Sequence, residues 1–178
     1  PLLQSSAASD VYKRQNSIYP DYWRAFISGL DTNEQKNILH SFYHKIHSGD
    51  MDSSRKYCRQ WSMWEGRSST LKPSSTVVDA FDDCSISLAK IETHFFYNDC
   101  FIEENQIIKN IDSIKNIPCH IVHGRYDIVC PFDQAYDLHA AYRTSVIHEI
   151  RDAGHSLLEE GITKKILEIY HNDEEFIT

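Results

Sequence analysis

Two short motifs carry residue types suited to proton transfer: Gly124-Arg125-Tyr126-Asp127 and, 28 positions after that aspartate, Gly154-His155-Ser156. Each motif follows a short apolar run of the kind that forms a buried strand. In a catalytic triad the histidine accepts the proton of a nucleophile, and the acid holds the imidazole in the correct tautomer. Asp127 suits the acid and His155 suits the base. Taken singly, Asp127 is more typical of a turn or a helix cap, and His155 is equally typical of a hydrogen-bonded loop histidine.

The third member of a triad is missing from the sequence. No Gly-x-Ser-x-Gly motif, in which a serine nucleophile occupies a sharp strand-to-helix turn, occurs in the 178 residues. The sequence also begins at Pro1 rather than at a methionine. We therefore expect the C-terminal part of a serine hydrolase whose nucleophile lies in a preceding part.

The elements that would position the two motifs alternate between strand and helix. The pattern predicts a strand over 119–123, a helix through Ala135 and Ala141, a strand over 146–150, and a closing helix around 162–169. Such a βαβα order implies parallel strands. Two strands alone do not form a stable parallel sheet with both faces covered, so we expect further strands outside this sequence.

The preceding stretch, from Tyr19 to about Phe101, is predicted to be helical. Thr32 and Gln35 have capping-box spacing before a helix over 38–46, and two more helices are expected from about Asp52 to before Pro73 and over 86–96. The large aromatic residues of this block are expected to belong mostly to a core: Trp61, Trp64, Phe95 and Phe96. His40, His44 and His47 share one helical face, but no carboxylate lies at a matching distance, so we predict a solvated or partly buried face and no metal site.

Composition excludes several classes of function. With 18 Lys and Arg against 26 Asp and Glu, the net charge of −8 argues against a nucleic-acid partner. No apolar run is long enough to suggest a membrane span. The five cysteines are an odd number without C-x-x-C spacing, which favours reduced thiols in a cytoplasmic protein. Residues 1–15 show no periodicity and are left unassigned, as a stretch that need not be native.

From Tyr19 to about His155 the sequence resembles the proline iminopeptidases, a branch of the α/β-hydrolases. The resemblance lies in Tyr19-Pro20 with Trp23, Trp61-Ser62-Met63-Trp64-Glu65-Gly66, Ala89-Lys90-Ile91-Glu92-Thr93-His94-Phe95-Phe96, Ile117-Pro118, 123–131 and Asp152-Ala153-Gly154-His155-Ser156. It implies an α/β fold, an incomplete α/β-hydrolase with a helical cap over 16–105 and the last parallel strands and helices of the sheet domain over 106–178. It also implies Asp127 and His155 as triad acid and base, peptides with N-terminal proline as substrates, and no cofactor.

The same resemblance implies that Glu65 and Glu92 recognise the substrate's amino group. A free N-terminal imino group is a cation near neutral pH, and two carboxylates repel each other until a cation lies between them. Taken alone, each glutamate is more typical of a solvated helix face. The family's serine motif and its oxyanion loop have no counterpart here, so we expect no turnover by this chain alone. Alternatives are another capped α/β-hydrolase, such as an esterase or epoxide hydrolase, or a non-catalytic helical binding module.

Overall fold

The computed structural model describes residues 15–172, so the expectation for residues 1–14 lies outside the described part of the chain. Two compact units are present. A helical unit comprises residues 15–68 and 73–105, and a strand unit comprises residues 69–72 and 106–172. The short segment 69–72 therefore belongs to the strand unit, although its neighbours on both sides belong to the helical unit.

The helical unit contains five α-helices of eight residues or more within the described residues. They are α1 (Pro20–Ile27), α2 (Ile38–Ile46), α3 (Met51–Ser68), α4 (Ser75–Asp83) and α5 (Ser85–Tyr97). Pro20 opens α1, where its missing N–H costs nothing. Asn37 caps α2 by accepting a hydrogen bond from the amide of His40 at 3.2 Å. The three predicted helices are confirmed, whereas α4 was not predicted.

The predicted capping box is wrong by one residue. Asp31 and Glu34 form it instead: the amide of Asp31 donates to Glu34 Oε2 and the amide of Glu34 donates to Asp31 Oδ1, both at 2.9 Å. This box opens a short 3₁₀ turn, Glu34–Lys36, rather than α2. Aspartate accepts amide hydrogen bonds at least as well as threonine, so Asp31 takes the position expected for Thr32.

Stacked aromatic rings form the core of the helical unit. Phe26 stacks on Phe42 with ring centroids 4.6 Å apart, and Trp64 stacks on Phe26 at 5.3 Å. Trp61 meets Phe42 edge-on at 5.5 Å and is fully buried. The prediction for Phe95 is wrong, because its side chain is 46% exposed. It lies on the solvent side of α5.

The strand unit has the predicted alternation. Its elements are α6 (Gln106–Lys109), β1 (Cys119–Gly124), α7 (Phe132–Ala141), β2 (Ser145–Ile150) and α8 (Glu160–Asn172). The two strands pair in parallel, from Cys119 opposite Ser145 to Gly124 opposite Ile150. The α/β class is thereby confirmed. Among residues 15–172, no helix is both long and apolar enough to cross a bilayer.

Candidate active site

The two motifs lie at one edge of the parallel sheet. β1 ends at Gly124 and β2 ends at Ile150, and these residues are partners in the register. Hydrogen bonds join the loops that follow β1 and β2. The amide of Arg125 donates to the carbonyl of Ile150 at 2.8 Å. The amide of Tyr126 donates to the carbonyl of Ala153 at 3.0 Å. Parallel pairing therefore brings together the loops that carry Asp127 and His155, which are 28 positions apart in the sequence.

The Asp127 carboxylate is buried and aimed at His155. Its Oδ1 accepts hydrogen bonds from the amides of Val129 at 2.9 Å and Cys130 at 2.8 Å. Its Oδ2 lies 2.9 Å from Nδ1 of His155. The side chain of Asp127 is only 3% exposed, so solvent competes little for these contacts. Oδ1 therefore closes the local turn, and Oδ2 faces the imidazole of His155.

His155 presents one ring nitrogen to the acid and is fixed by its backbone. The amides of His155 and Ser156 both donate to the carbonyl of Ser69 at 2.8 Å. With Nδ1 facing Asp127, Nε2 is the ring atom that would receive a nucleophile's proton in triad chemistry. Its side chain is 40% exposed, so the imidazole remains accessible.

The environment of His155 favours its charged form. Burial on its own lowers the pKa, but the hydrogen bonds to the Asp127 carboxylate and the Cys130 side chain outweigh this and raise the pKa of His155 from 6.5 to about 10. The imidazole is therefore a cation at neutral pH in this chain. A cationic imidazole has no free electron pair with which to accept a proton.

This raised pKa predicts a pH dependence of stability. The folded-state pKa exceeds the unfolded value, so the pair stabilises the fold fully below pH 6.5 and this contribution is lost as the pH rises towards about 10. An NMR titration of the His155 ring proton should show a midpoint well above 6.5. Asp127→Asn should return the midpoint towards the ordinary histidine range. A wild-type midpoint near 6.5 would contradict the geometry described here.

Gly124 allows the two loops to approach each other. A Cβ at this position would lie 1.9 Å from the carbonyl oxygen of Gly154 and 2.6 Å from that of Ala153. Real Cβ atoms are never that close to backbone oxygen, so any side chain would push the His155 loop away. The glycine is required by packing against the neighbouring loop.

Gly124→Ala should therefore damage the fold and the Asp127–His155 pair together. We expect the free energy of unfolding to fall by about 1–3 kcal/mol, as in other overpacked sites, and the His155 midpoint to fall as well. Gly49→Ala is the control, because a Cβ there meets nothing within 4 Å but must adopt a φ of +83°. It should cost stability while leaving the His155 titration unchanged. Denaturant unfolding with NMR titration of both variants measures this difference.

The two predicted recognition residues lie in the helical unit. Glu65 lies in α3 and is 9% exposed, and Glu92 lies in α5, which packs against α3. Oε2 of Glu92 accepts a hydrogen bond from the indole Nε1 of Trp61 at 2.8 Å. Trp61 and Glu65 are one helical turn apart and so share a face of α3. Glu92 therefore contacts, through Trp61, the face of α3 that carries Glu65.

The three clustered histidines pack against aromatic rings. His40 and His44 are exposed on α2, and their ring centroids are 4.3 Å apart. Tyr43 of α2 stacks on Tyr97 of α5, with ring centroids 3.9 Å apart. Within residues 15–172, no group of three or more His, Cys, Asp or Glu side chains is arranged to hold a metal ion.

Comparison with known proteins identifies the relatives of this chain. It is 36% identical to a probable proline iminopeptidase of Leptolyngbya boryana over 85% of its own length and 48% of that protein. It is also 36% identical to the proline iminopeptidase of Arabidopsis thaliana, over 85% of this chain and 41% of that protein. No protein-family model matches the chain.

By sequence, the chain belongs to the proline iminopeptidase family. It spans about half the length of the curated relatives it matches. A more distant relative from Neisseria gonorrhoeae, 25% identical, matches over a similar share, 85% of this chain and 48% of that protein. Membership of this family implies an α/β-hydrolase fold, in agreement with the parallel strands described above.

Three further residues support the site but were not predicted. Nε2 of His123 lies 3.3 Å from Asp127 Oδ2 and 2.8 Å from the carbonyl oxygen of Cys130. Ser69 holds the His155 loop through its carbonyl, and Glu159 accepts the amide of Gly154 at 2.6 Å. The only sequence signal for Glu159 is the Ser-x-x-Glu spacing from Ser156. This capping-box spacing predicts the backbone N–H of Ser156, and not that of Gly154, as the partner of the carboxylate.

Proposed function

We propose that this chain supplies the acid, the base and the amine-recognition residues of a serine aminopeptidase that releases N-terminal proline from peptides. The observation that carries the proposal is the 2.9 Å contact between Nδ1 of His155 and Oδ2 of Asp127. It lies where two neighbouring parallel strands end, which is where α/β folds gather their chemistry. Membership of the proline iminopeptidase family supports the choice of reaction.

In this proposal His155 removes the proton from a serine supplied by sequence outside this chain, then returns it to the leaving amine. Asp127 fixes the tautomer and stabilises the imidazolium that forms. For that cycle the imidazole must begin neutral. The serine motif that would supply the nucleophile is absent from the 178 residues, which supports the expectation that the chain alone does not turn over.

We also propose that the helical unit is the cap and that the strand unit is part of a larger sheet domain. Support comes from large apolar side chains that the strand unit leaves exposed: Val146, Leu157, Leu158 and Leu167. A two-stranded parallel sheet is normally part of a larger one with both faces covered. Further strands would bury such residues.

Glu65 and Glu92 are proposed to bind the cationic imino group of the substrate's first residue. Glu92 contacts Trp61 on the face of α3 that carries Glu65, and Glu65 is 9% exposed. A carboxylate that is largely removed from water attracts a positive charge strongly. A free N-terminal proline provides that charge, whereas an acylated or internal proline is neutral. The pair would therefore select the chain terminus.

The test is hydrolysis of proline p-nitroanilide by a chimera that joins residues 16–172 to the part of the Leptolyngbya boryana relative outside the matched region. We expect turnover by the chimera and none by the 178-residue chain. A cooperatively folded chimera that cleaves p-nitrophenyl acetate but not the proline substrate would overturn the proposal in favour of an esterase. Substantial proline release by the chain alone would also contradict it.

A further inference from the structure

Glu159 connects three parts of the strand unit through its carboxylate. Oε1 accepts the amide of Gly154 at 2.6 Å, and Oε2 lies 3.3 Å from the amide nitrogen of Leu71. The residue thus joins the loop that carries His155 to the segment 69–72. That segment is more than 80 residues away from His155 in sequence.

The backbone of Glu159 is itself anchored. Its carbonyl accepts hydrogen bonds from the amides of Ile162 and Thr163, both at 3.0 Å, at the start of α8. A helix start is a rigid base from which a side chain can hold a loop. The carboxylate therefore fixes Gly154, the residue directly before His155, relative to the start of α8.

The surroundings of Gly154 leave little room for movement. A Cβ at Gly154 would lie 3.0 Å from the amide nitrogen of Leu71, 3.1 Å from Glu159 Oε1 and 3.2 Å from the carbonyl oxygen of Ser69. Ser69 in turn accepts the amides of His155 and Ser156. Together, Ser69 and Glu159 satisfy three consecutive amides of the loop, those of residues 154, 155 and 156.

We propose that Glu159 is a positioning residue that holds the His155 loop so that Nδ1 stays on the Asp127 carboxylate. The inference rests on the proposed roles of Asp127 and His155. Glu159 touches neither ring nor carboxylate of the pair, and acts through the backbone of Gly154. Loss of its hydrogen bonds would free the loop and lengthen the Nδ1–Oδ2 distance.

The experiment compares Glu159→Ala with Glu159→Gln in the 178-residue chain, with the NMR titration midpoint of the His155 ring proton as readout. Glutamine keeps an acceptor oxygen for the amide of Gly154, so its midpoint should stay close to wild type. Alanine removes the acceptor, so its midpoint should fall by more than about one unit towards the ordinary histidine value. The pKa of His155 is governed by burial, Asp127 and Cys130. A change of this pKa in a Glu159 variant therefore indicates that His155 has moved relative to these groups.

Two outcomes would overturn the proposal. An unchanged midpoint in Glu159→Ala, even with a lower melting temperature, would assign Glu159 a purely structural role. Equal falls in both variants would show an effect of charge rather than of position. If the alanine variant does not fold, Glu159→Asp replaces it: this keeps the charge but shortens the reach by one methylene, and an unchanged midpoint would then refute the proposal.

The titration needs neither substrate nor nucleophile. A failed aminopeptidase assay would therefore leave the positioning role of Glu159 standing. Conversely, an unchanged His155 midpoint would leave the assignment of the substrate untouched.

Discussion

Asp127→Asn in the chimera should lower kcat for proline p-nitroanilide by about 10⁴-fold with little change in folding, as loss of the acid does in other triads. An asparagine can still accept the amides of Val129 and Cys130 through its side-chain oxygen, so the turn should persist. Its NH₂ group then faces Nδ1 of His155, so the side chain favours the wrong tautomer and no longer stabilises the imidazolium. Steady-state kinetics across pH measure the loss.

Asp133→Asn is the matched control for this substitution. Asp133 is exposed, follows Asp127 by six residues and lies at the start of α7. Its replacement removes the same charge from the same region and should leave kcat within about twofold. A fall of less than tenfold in Asp127→Asn would show that the Asp127–His155 contact does not serve catalysis.

Glu65→Gln and Glu92→Gln should each lower kcat/KM for substrates with a free N-terminal proline. Leaving a bound cation with one partner missing costs about 2–5 kcal/mol, which corresponds to roughly 30- to 4,000-fold. Glutamine at position 92 retains an oxygen that can accept the Trp61 indole N–H, so the packing of α5 on α3 should survive. The losses of kcat/KM therefore measure the effect of the missing charge and not a defect in folding.

A neutral ester substrate separates this role from a general defect. Both variants should cleave p-nitrophenyl acetate at nearly the unaltered rate, because that substrate carries no ammonium group. Glu104→Gln, at an exposed position after α5, should change neither activity. Equal losses on the amine and the ester would contradict amine recognition by these two residues.

Much of the strand unit could be predicted because its signals are local. Short apolar runs ended by Gly124 and by the Asp152–Gly154 loop predicted both strands, and their parallel pairing required that Asp127 and His155 meet at one edge. The closeness of Asp127 and His155 followed from the parallel order of the two strands and not from any direct signal of contact between the two residues. The sequence pattern showed that Gly124 directly follows the predicted strand, whereas its contact with Gly154 depends on how the loops pack.

The features that were missed depend on contacts distant in sequence or on weak propensity. Helix α4 contains adjacent valines and three aspartates, which are poor helix formers, and is started by Ser74, whose side chain accepts the Val77 amide at 3.3 Å. Asp99, Cys100 and Phe101 all adopt positive φ values although none is glycine. No local pattern predicts such a turn. The contact of Ser69 with the His155 loop likewise spans the whole intervening sequence.

The most direct test of the account compares two substrates of the chimera, proline p-nitroanilide and its N-acetyl derivative. They share the scissile bond and the pyrrolidine ring and differ in the charge of the imino nitrogen. We expect the free amine to be cleaved at least about 30-fold faster in kcat/KM, and we expect this preference to disappear in Glu65→Gln. Equal rates for the two substrates would contradict an aminopeptidase that recognises the N-terminal proline through its charge.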